Sequence, residues 1–461
     1  MIKFGTDGWR AKIADDFTFD NIKHVTLAFI NHLKKSGHDK AGVAVGFDNR
    51  FQSEDFAQTT AEVCAENGIK TYLSKYSLPS PALSYFVKTN NLNAGIMITA
   101  SHNPPEWNGF KIKESFGGSA RPEFTKAVEA EINHPTQSLG AKTKIEMFDP
   151  KPGYLKHISS FVDLEKIKNA NIKIVLDCMH GSGIGYLSNL LEIDEINSNR
   201  DPLFGGLNPE PIPQNLIDLT SYTKDLLVKS KNTLIMGAAI DGDADRIGCV
   251  DSSGVFISSH NIFSLLLKHL VENKKMDGKI IKTFNISRLI ELQAKKYGLQ
   301  IEEVPIGFKY IADKMLKENI LIGGEESGGI GIKGNIPERD GSLCTLLLAE
   351  LIAYNKKTLK QLLDEIMDEF GYSYYDRIDL HGIDREMALR KIEVMKGLKA
   401  FANSQIVKIE TLDGLKLDFS DSSWILFRMS GTEPLLRIYA EARTFDQVEL
   451  LLSAGQKAIQ S

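Results

Sequence analysis

The sequence predicts a multidomain protein with α/β architecture in its first three parts and α+β architecture in its last. Apolar runs of strand length alternate with amphipathic stretches of helical length through the first 370 residues, which is typical of α/β domains. Residues 371–461 instead group several strands with separate helices. At 461 residues the chain is also too long for one hydrophobic core.

The first round of alternation occupies residues 1–150. A helix is predicted over 19–36, because Ile22, Val25, Phe29 and Leu33 fall on one helical face. The other predicted elements of this round are strands at 42–47, 69–73 and 94–98 and a helix at 54–67. A Pro/Gly-rich stretch at 150–153 marks the end of the round.

Two further rounds of similar architecture follow, and then the pattern changes. In the second round, 151–253, strands are predicted at 171–176 and 234–240. In the third, 254–370, we expect helices near 260–273 and 286–297 and strands at 279–283 and 321–322. In the last part, 371–461, strands are predicted at 372–380, 405–410, 415–419 and 424–427, and a helix at 384–398.

Composition and charge indicate a soluble globular protein, with 42% hydrophobic and 25% charged residues. A formal net charge of −5, with 55 basic against 60 acidic residues, disfavours a nucleic-acid-binding surface. No signal-peptide core opens the sequence, and no apolar run has the length of a membrane span. The four cysteines lack metal-ligand spacing, so we expect buried free thiols and a cytoplasmic protein.

A polar loop follows the third predicted strand and carries Ser101 beside His102. The prolines at 104 and 105 disfavour a helix there, and the Asn-Gly pair at 108–109 predicts a tight turn that brings Lys111 back towards the serine. A serine at a strand end with these neighbours suits an activated nucleophile or a phosphate carrier. Taken alone, a plain polar turn explains the stretch equally well.

Three carboxylates, Asp241, Asp243 and Asp245, follow the predicted strand at 234–240. Carboxylates at alternate positions can converge on one hard cation, and Mg²⁺ takes oxygen ligands of this kind. An EF-hand loop is excluded, because Arg246 stands where that loop needs glycine and Ser252 where it needs glutamate. The sequence therefore favours a magnesium site over a solvated acidic turn.

Two other stretches have the composition of ligand-binding loops. Residues 323–329 contain four glycines, which allow close backbone approach, and two carboxylates that can accept hydrogen bonds from sugar hydroxyls. Residues 428–437 combine hydroxyls, a glycine amide and two arginines, whose planar forks match phosphate oxygens. A flexible surface loop and a hairpin turn are the respective structural alternatives.

Two glycine-containing stretches carry weaker signals. Gly307 and Lys309 mark a glycine turn that offers either a phosphate or sugar contact or only a solvated lysine. The glycine run at 181–185 is not a dinucleotide-binding loop, because Tyr186 stands where the third glycine is required.

Five stretches of the chain form an ordered set: FGTDGWR at 4–10, TASHNPPEWNGFK at 99–111, DGDADR at 241–246, GEESGG at 324–329 and RMSGTEPLLR at 428–437. Together, in this order, they resemble the α-D-phosphohexomutases, the phosphoglucomutase/phosphomannomutase family. The resemblance spans essentially the whole chain. It implies four domains around a central cleft, three similar mixed-sheet α/β/α domains and a final α+β domain like the TATA-binding protein.

The resemblance assigns one loop to each expected domain. Domain I, 1–150, would hold the phosphoserine loop, and domain II, 151–253, the metal loop. Domain III, 254–370, would hold the sugar-binding loop, and domain IV, 371–461, the phosphate-binding loop.

The resemblance also implies roles for individual residues. Ser101 would carry a phosphoryl group, and one oxygen of that phosphate would join Asp241, Asp243 and Asp245 in holding one Mg²⁺ per chain. Lys111 would be the first candidate for general base, provided that burial and neighbouring cations lower its pKa. The other catalytic candidates are Arg10 and His102. The substrate-binding candidates are Arg246, Gly307, Lys309, Glu325, Ser327, Arg428, Ser430, Gly431, Thr432 and Arg437.

The expected reaction converts hexose 1-phosphate to hexose 6-phosphate through a bound 1,6-bisphosphate. Glu326 and the turn at 307–309 are more similar to glucose-type members, so we expect a phosphoglucomutase with glucose 1,6-bisphosphate as its activating intermediate. Gly329 departs from the histidine of some subfamilies. A phosphomannomutase or a dual-specificity enzyme is the alternative, and a phosphoglucosamine mutase is less favoured.

Two functions outside the family are also considered. Release of free phosphate would indicate a metal-dependent phosphatase, in which water replaces the sugar hydroxyl. A non-catalytic phosphosugar-binding protein would need neither Ser101 nor all three aspartates. The expected partners are hexose phosphates, with no nucleic acid and no membrane, and monomer and dimer are both open.

Overall fold

A computed structural model describes residues 2–5, 7–133, 141–230, 233–430 and 435–460. The chain forms two compact units. The first unit comprises Met1–Lys279 and Gly307–Gln361, and the second comprises Ile280–Ile306 and Leu362–Ser461. The expected domain boundaries at 150, 253 and 370 stay predictions.

The first unit opens with a mixed six-stranded sheet. Its elements in chain order are β1 (Trp9–Lys12), α1 (Phe19–Lys35), β2 (Val43–Phe47), α2 (Ser53–Glu66), β3 (Thr71–Ser74), α3 (Ser80–Thr89), β4 (Ala94–Ile98), β5 (Trp107–Glu114), α4 (Pro122–Ile132) and β6 (Ile145–Phe148). The strand order is β1-β5-β4-β2-β3-β6. Strands β4, β2, β3 and β6 are parallel to one another, and β5 pairs antiparallel with β4 on one side and with β1 on the other.

Burial explains why these residues form this sheet. Every residue of β2 and β4 is buried, as expected for parallel strands covered on both faces. Helix α1 begins after Thr18, whose side chain accepts a hydrogen bond from the backbone of Asn21, and its apolar face enters the core. Because β2 and β4 are parallel neighbours, the loops that follow Phe47 and Ile98 leave the same edge of the sheet.

A second mixed sheet positions the acidic loop. Its elements are α5 (Lys151–Ser159), α6 (Leu164–Lys168), β7 (Ile172–Asp177), β8 (Ile193–Ile196), α7 (Ile217–Lys229), β9 (Leu234–Ile240), β10 (Ile247–Asp251) and β11 (Phe256–Ile257). The strand order is β11-β10-β9-β7-β8, with β7, β8 and β9 parallel. Residues 241–246 form the turn between β9 and antiparallel β10, where Ile240 pairs with Ile247.

The next elements are divided between the two units. They are α8 (Ser259–Lys268), β12 (Lys279–Thr283), α9 (Leu289–Tyr297), β13 (Ile301–Val304), α10 (Phe308–Lys317), β14 (Ile320–Gly324), β15 (Ile330–Ile332), α11 (Gly341–Asn355) and α12 (Leu359–Phe370). In the first unit, β14 and β15 form an antiparallel pair that presents residues 325–329. Helix α11 is buried on nearly all sides, and Asp340 caps it by accepting a hydrogen bond from the backbone of Leu343.

The second unit contains the C-terminal antiparallel sheet. Its elements are β16 (Tyr374–His381), α13 (Arg385–Met395), β17 (Ala400–Phe401), β18 (Ser404–Glu410), β19 (Leu415–Phe419), β20 (Trp424–Met429), β21 (Leu435–Ala442) and α14 (Phe445–Gln460). The strand order is β16-β21-β20-β19-β18-β17. Successive residues of β20 point to opposite faces of the sheet. Ile425 and Phe427 join the core that includes residues of α13 and α14, whereas Trp424 and Leu426 pack with Phe284 on the other face.

Most predicted strands and helices are confirmed, but two predicted turns are wrong. Residues 108–109 are not a tight turn, because β5 already begins at Trp107 and Gly109 pairs with Arg10 of β1. Phe308 and Lys309 are not in a glycine turn either, since they form the first turn of α10 after Gly307. The four cysteines are free and buried, as predicted. None of the helices in the described ranges combines the length and apolarity that a membrane crossing requires.

Candidate active site

Ser101 lies at the edge of the first sheet, three residues beyond the end of β4. Its side chain is buried and its backbone is left-handed, with φ of 55°. The backbone amide donates to Thr99 Oγ1 at 2.9 Å, and the hydroxyl donates to Asp241 Oδ2 at 2.7 Å. The structure therefore brings the predicted phosphate carrier directly against the predicted metal loop.

The two loops can approach this closely because residue 242 is a glycine. A Cβ atom added at Gly242 would lie 2.6 Å from the carbonyl oxygen of Ser101. Within the metal loop, Asp241 Oδ1 accepts from the backbone amides of Asp245 and Arg246 at 3.0 and 3.1 Å. These bonds fix the turn and leave Oδ2 of Asp241 facing Ser101.

The three aspartates form a buried group that fits a divalent cation. Each offers one oxygen, and the three oxygens lie within 4.8 Å of one another. Asp243 Oδ1 and Asp245 Oδ1 are buried and have no hydrogen-bond partner among the described residues. Burial, together with the charges of Asp245 and Asp243, raises the pKa of Asp241 well above its usual value. A bound Mg²⁺ would satisfy the two orphan oxygens and offset this repulsion.

Lys111 lies on β5 among these carboxylates. Its ammonium is 2.8 Å from Asp243 Oδ2, 3.0 Å from Asp7 Oδ2 and 3.4 Å from Asp245 Oδ2. Burial alone would lower the pKa of Lys111, but the three carboxylates outweigh burial and raise it. The raised pKa of Lys111 differs from the lowered pKa that we expected of a general base, and the same ion pairs hold the pKa of Asp243 below its usual value.

Three other predicted residues surround Ser101 and the acidic loop. Arg10, on β1, donates to Asn103 Oδ1 at 2.6 Å. His102 Nδ1 lies 3.3 Å from Ser101 Oγ, and burial with the nearby cations Arg246 and Arg10 lowers the pKa of His102 well below its usual value. The imidazole is therefore neutral at pH 7. Arg246 is mostly buried, and its Nε lacks a hydrogen-bond partner among the described residues.

The predicted sugar loop joins this group through Arg246. Gly329 forms a β-bridge with Arg246, and the amide of Ile247 donates to the carbonyl of Gly328 at 3.1 Å. Glu325 is buried, and burial raises its pKa to about 6 although nearby arginines oppose the rise. Ser327 is half-buried in the same turn.

Gly307 and Lys309 lie at the start of α10. Gly307 is the N-cap residue and has φ of 138°, a conformation that glycine tolerates and L-residues rarely adopt. Lys309 lines a small cavity together with Asp7 and Ser119, and its ammonium is 5.4 Å from the centre of the Tyr310 ring. The structure thus places Lys309 on the Asp7 side of the site.

The predicted phosphate-binding residues belong to the second unit. Arg428 lies on β20 and pairs with Asp413 at 3.0 Å, and Arg437 lies on β21, 3.4 Å from Asp379. The carbonyl of Ser430 accepts from Arg385 at 2.6 Å. Gly431 and Thr432 lie outside the described residues.

Sequence reasoning gave no role to several charged residues that the structure places in the site. Arg339 lies 2.5 Å from Asp7 and 2.7 Å from Asp245, and burial of Asp7 is outweighed by Lys111 and Arg339, which lower its pKa. Lys113 is buried against Glu338. The sequence did contain one signal for these partners. Lys111 and Lys113 stand at alternate positions of a strand and therefore face the same side of the sheet, and buried lysines on that side need buried carboxylates as partners.

Comparison with known proteins covers the whole chain. Four models of the phosphoglucomutase/phosphomannomutase family match it: alpha/beta/alpha domain I at residues 1–139, domain II at 152–254, domain III at 258–370 and the C-terminal domain at 385–454. A phosphoglucomutase/phosphomannomutase from Thermococcus kodakarensis is 30% identical over an alignment of 468 positions, which covers 99% of this chain and 98% of that protein.

Two other similar proteins have different sugars in their names. A phosphoglucosamine/phosphogalactosamine mutase from Sulfurisphaera tokodaii is 31% identical over 470 residues, covering 99% of both chains. The crystal structure of a Thermus thermophilus protein described as a candidate phosphomannomutase superimposes with a TM-score of 0.88 at 32% identity, covering 100% of this chain and 99% of that one.

The fold and these comparisons define an isomerase of the phosphohexomutase class, built from three α/β domains and a C-terminal antiparallel-sheet domain. The chain belongs to the phosphoglucomutase/phosphomannomutase family.

Proposed function

We propose that the protein interconverts glucose 1-phosphate and glucose 6-phosphate through a phosphoserine at Ser101 and a bound glucose 1,6-bisphosphate. The observation that carries this proposal is the contact of a buried serine hydroxyl with Asp241, inside a group of three carboxylates. A serine that only served the fold would not need a strained backbone beside a cation-binding group.

The transfer itself is a displacement at phosphorus. The bond between phosphorus and Ser101 Oγ breaks as a bond to the sugar 6-oxygen forms; the 6-hydroxyl proton passes to a base, and Ser101 Oγ takes up a proton. After the bisphosphate turns over, Ser101 Oγ loses that proton to a base as it takes the 1-phosphoryl group, the sugar 1-oxygen is protonated, and glucose 6-phosphate leaves. Catalysis of such transfers depends on in-line positioning and on neutralising the equatorial oxygens.

The charged groups around Ser101 suit that requirement. Asp241, Asp243 and Asp245 would hold one Mg²⁺, which when bound supplies positive charge to the phosphoryl oxygens. Lys111 would add charge and position, and it stays a candidate for the general base. His102 is the other candidate for the proton acceptor, because its Nδ1 lies 3.3 Å from Ser101 Oγ.

The remaining predicted residues would bind the substrate. Arg246, whose Nε makes no hydrogen bond to the described residues, is suited to a phosphate oxygen. Glu325 and Ser327 would hold sugar hydroxyls beside it. In the second unit, Arg428, Ser430, Gly431, Thr432 and Arg437 would bind the phosphate that does not react.

Glucose is proposed as the preferred sugar on two features of the chain, Glu326 and Lys309. Mannose phosphate, or both sugars, is the alternative, and the name of the Sulfurisphaera relative adds glucosamine phosphate as a candidate. The protein would act on small hexose phosphates in the cytoplasm, without nucleic acid or membrane, as a monomer or dimer.

The sugar is tested by comparing rates on the 1-phosphates of glucose, mannose and glucosamine, each with Mg²⁺ and a trace of its 1,6-bisphosphate. We expect the highest kcat/KM with glucose 1-phosphate. Replacing Ser101 with Ala should abolish turnover and the phosphoprotein mass, whereas Ser36→Ala, at an exposed helix end, should change neither. A mannose or glucosamine preference would contradict the sugar assignment, and full activity of Ser101→Ala would contradict the phosphoserine mechanism.

A further inference from the structure

Arg50 makes an unusual set of contacts with the loop that carries Ser101. Its Nη2 donates to the carbonyl oxygens of Ser101 at 2.6 Å and Asn103 at 2.7 Å. Its Nη1 donates to those of Pro104 at 2.8 Å and Trp107 at 3.0 Å. One fully buried guanidinium therefore holds four carbonyls of a single seven-residue segment, 101–107, which we call the serine loop.

Asp48 and Phe204 fix the guanidinium in turn. Asp48 Oδ2 lies 3.2 Å from Arg50 Nε, and the guanidinium carbon lies 4.8 Å from the centre of the Phe204 ring. Asp48 Oδ1 accepts from the amide of Arg50 and from the hydroxyl of Ser53. The cation thus has a paired charge on one side and a ring on one face, and its remaining donors point into the serine loop.

The same carboxylate also reaches Ser101 from its other side. Thr99 Oγ1 donates to Asp48 Oδ2 at 2.5 Å and accepts from the amide of Ser101 at 2.9 Å. The amide of Ser101 is therefore linked to Asp48 through Thr99, and its carbonyl is held by Arg50. The backbone amide and the carbonyl of Ser101 are therefore both held by hydrogen bonds. A residue with φ of 55° is strained, and such a conformation persists only when its surroundings hold it in place.

We propose that Arg50 is a positioning residue that holds the serine loop so that Ser101 Oγ faces Asp241. The inference rests on the proposed function, in which Ser101 is the residue that gives and receives the phosphoryl group. The guanidinium is needed as a planar fork, since a single ammonium cannot reach four carbonyls in two directions. Arg50 itself acts only through the loop.

The test compares Arg50→Lys with wild type in two measurements. Hydrogen exchange followed by mass spectrometry needs no substrate, and we expect peptides of the serine loop to exchange about tenfold faster in the variant while peptides of β2, β4 and α2 stay as in wild type. In the mutase assay we expect kcat to fall about 100-fold with KM nearly unchanged, because misplacement of the reacting group costs rate rather than substrate affinity. Arg443→Lys is the matched control, since Arg443 also donates to backbone carbonyls, those of Phe370 and Tyr372.

A second variant covers the case in which Arg50→Lys does not fold. Thr99→Val removes the other support of Ser101 and leaves Arg50 in place, and it should give the same pattern of local exchange and lowered kcat. Unchanged exchange in the serine loop would overturn the proposal. So would faster exchange spread over the whole first sheet, which would indicate a purely structural arginine. If wild type converts none of the three hexose phosphates, the proposed function fails, and the exchange measurement still decides the role of Arg50.

Discussion

At the scale of single residues, the site is a set of buried charges that depend on one another. Lys111 is 1% exposed and pairs with Asp243 and Asp7, and Arg339 pairs with Asp7 and Asp245. Burying such charges is costly unless each has a partner, so the pairs hold the site together only as a group. Removal of one member should therefore affect stability as well as activity.

Lys111→Gln is the direct test of this dependence. The free energy of unfolding of the first unit should fall by about 3–5 kcal/mol in EDTA, because Asp7 and Asp243 lose a buried cation. The loss should be smaller in Mg²⁺, since a bound cation would still face Asp243. Turnover should also fall. Denaturant unfolding with and without Mg²⁺ measures both expectations.

Lys142→Gln is the control for Lys111→Gln. Lys142 lies 3.4 Å from Glu66, but both side chains are largely exposed, so its removal should change stability little. If the two variants lose the same stability, or if Mg²⁺ makes no difference to Lys111→Gln, the buried charges are not coupled in the way proposed.

The residue scale also shows where sequence reasoning stopped. Ser101, Lys111 and the three aspartates stand in recognisable stretches, so they could be predicted. Arg50 and Arg339 could not, because their contacts are set by the fold: Arg50 bonds to residues 51 to 57 positions away, and Arg339 to one 332 positions away. A buried arginine and a solvated one look the same in a single sequence.

At the scale of elements, hydrophobic periodicity predicted strands and helices well. The turns predicted from local residue types at 108–109 and 307–309 were wrong. The wholly apolar runs of β2 and β4 are buried strands, as predicted. Asn-Gly at 108–109 favours a turn locally, but pairing of β5 with β1 and β4 places both residues in a strand. A Cβ atom added at Gly109 would lie 2.4 Å from the carbonyl of Thr99, so this glycine serves close strand packing.

Gly329 has a comparable role in the sugar-binding loop. A Cβ atom added there would lie 2.2 Å from Cδ of Arg339, so this chain has an arginine side chain in the space that a side chain at 329 would need. We expect Gly329→Ala to displace Arg339 from Asp245 and Asp7 and to lower kcat/KM by about 10- to 100-fold. Steady-state kinetics on the preferred hexose phosphate measure the effect.

The control for Gly329→Ala is Gly397→Ala in the second unit. The nearest atom to an added Cβ at Gly397 is the carbonyl oxygen of Val394 at 3.6 Å, which is an ordinary contact. This variant should keep wild-type kinetics. Wild-type kinetics in Gly329→Ala as well would show that the position of Arg339 does not matter for turnover.

At the scale of the whole molecule, the sequence predicted the order of the α/β and α+β parts along the chain. It did not predict which residues group into each of the two compact units. The alternation of strands and helices predicted three α/β parts and a final α+β part, and the four family models confirm that series. Contacts instead group residues 280–306 with the C-terminal domain. Glu441 illustrates the reason for this grouping. Its carboxylate accepts hydrogen bonds from Ser287, Ser373 and Trp424, which are far apart in sequence.

Binding of Mg²⁺ to the acidic loop at 241–246 should stabilise the whole folded protein against unfolding. The three aspartate oxygens converge only when the turn between β9 and β10 is formed, so the ion binds the native state and hardly the unfolded one. At a concentration 100 times Kd the stabilisation is about 2.7 kcal/mol, which raises the midpoint of thermal unfolding by a few degrees. Asp243→Asn should remove the Mg²⁺-dependent shift, and Asp225→Asn, at an exposed position of α7, should keep it. Equal shifts in both variants would mean that Mg²⁺ acts elsewhere on the protein, and the acidic loop would lose its assignment as the metal site.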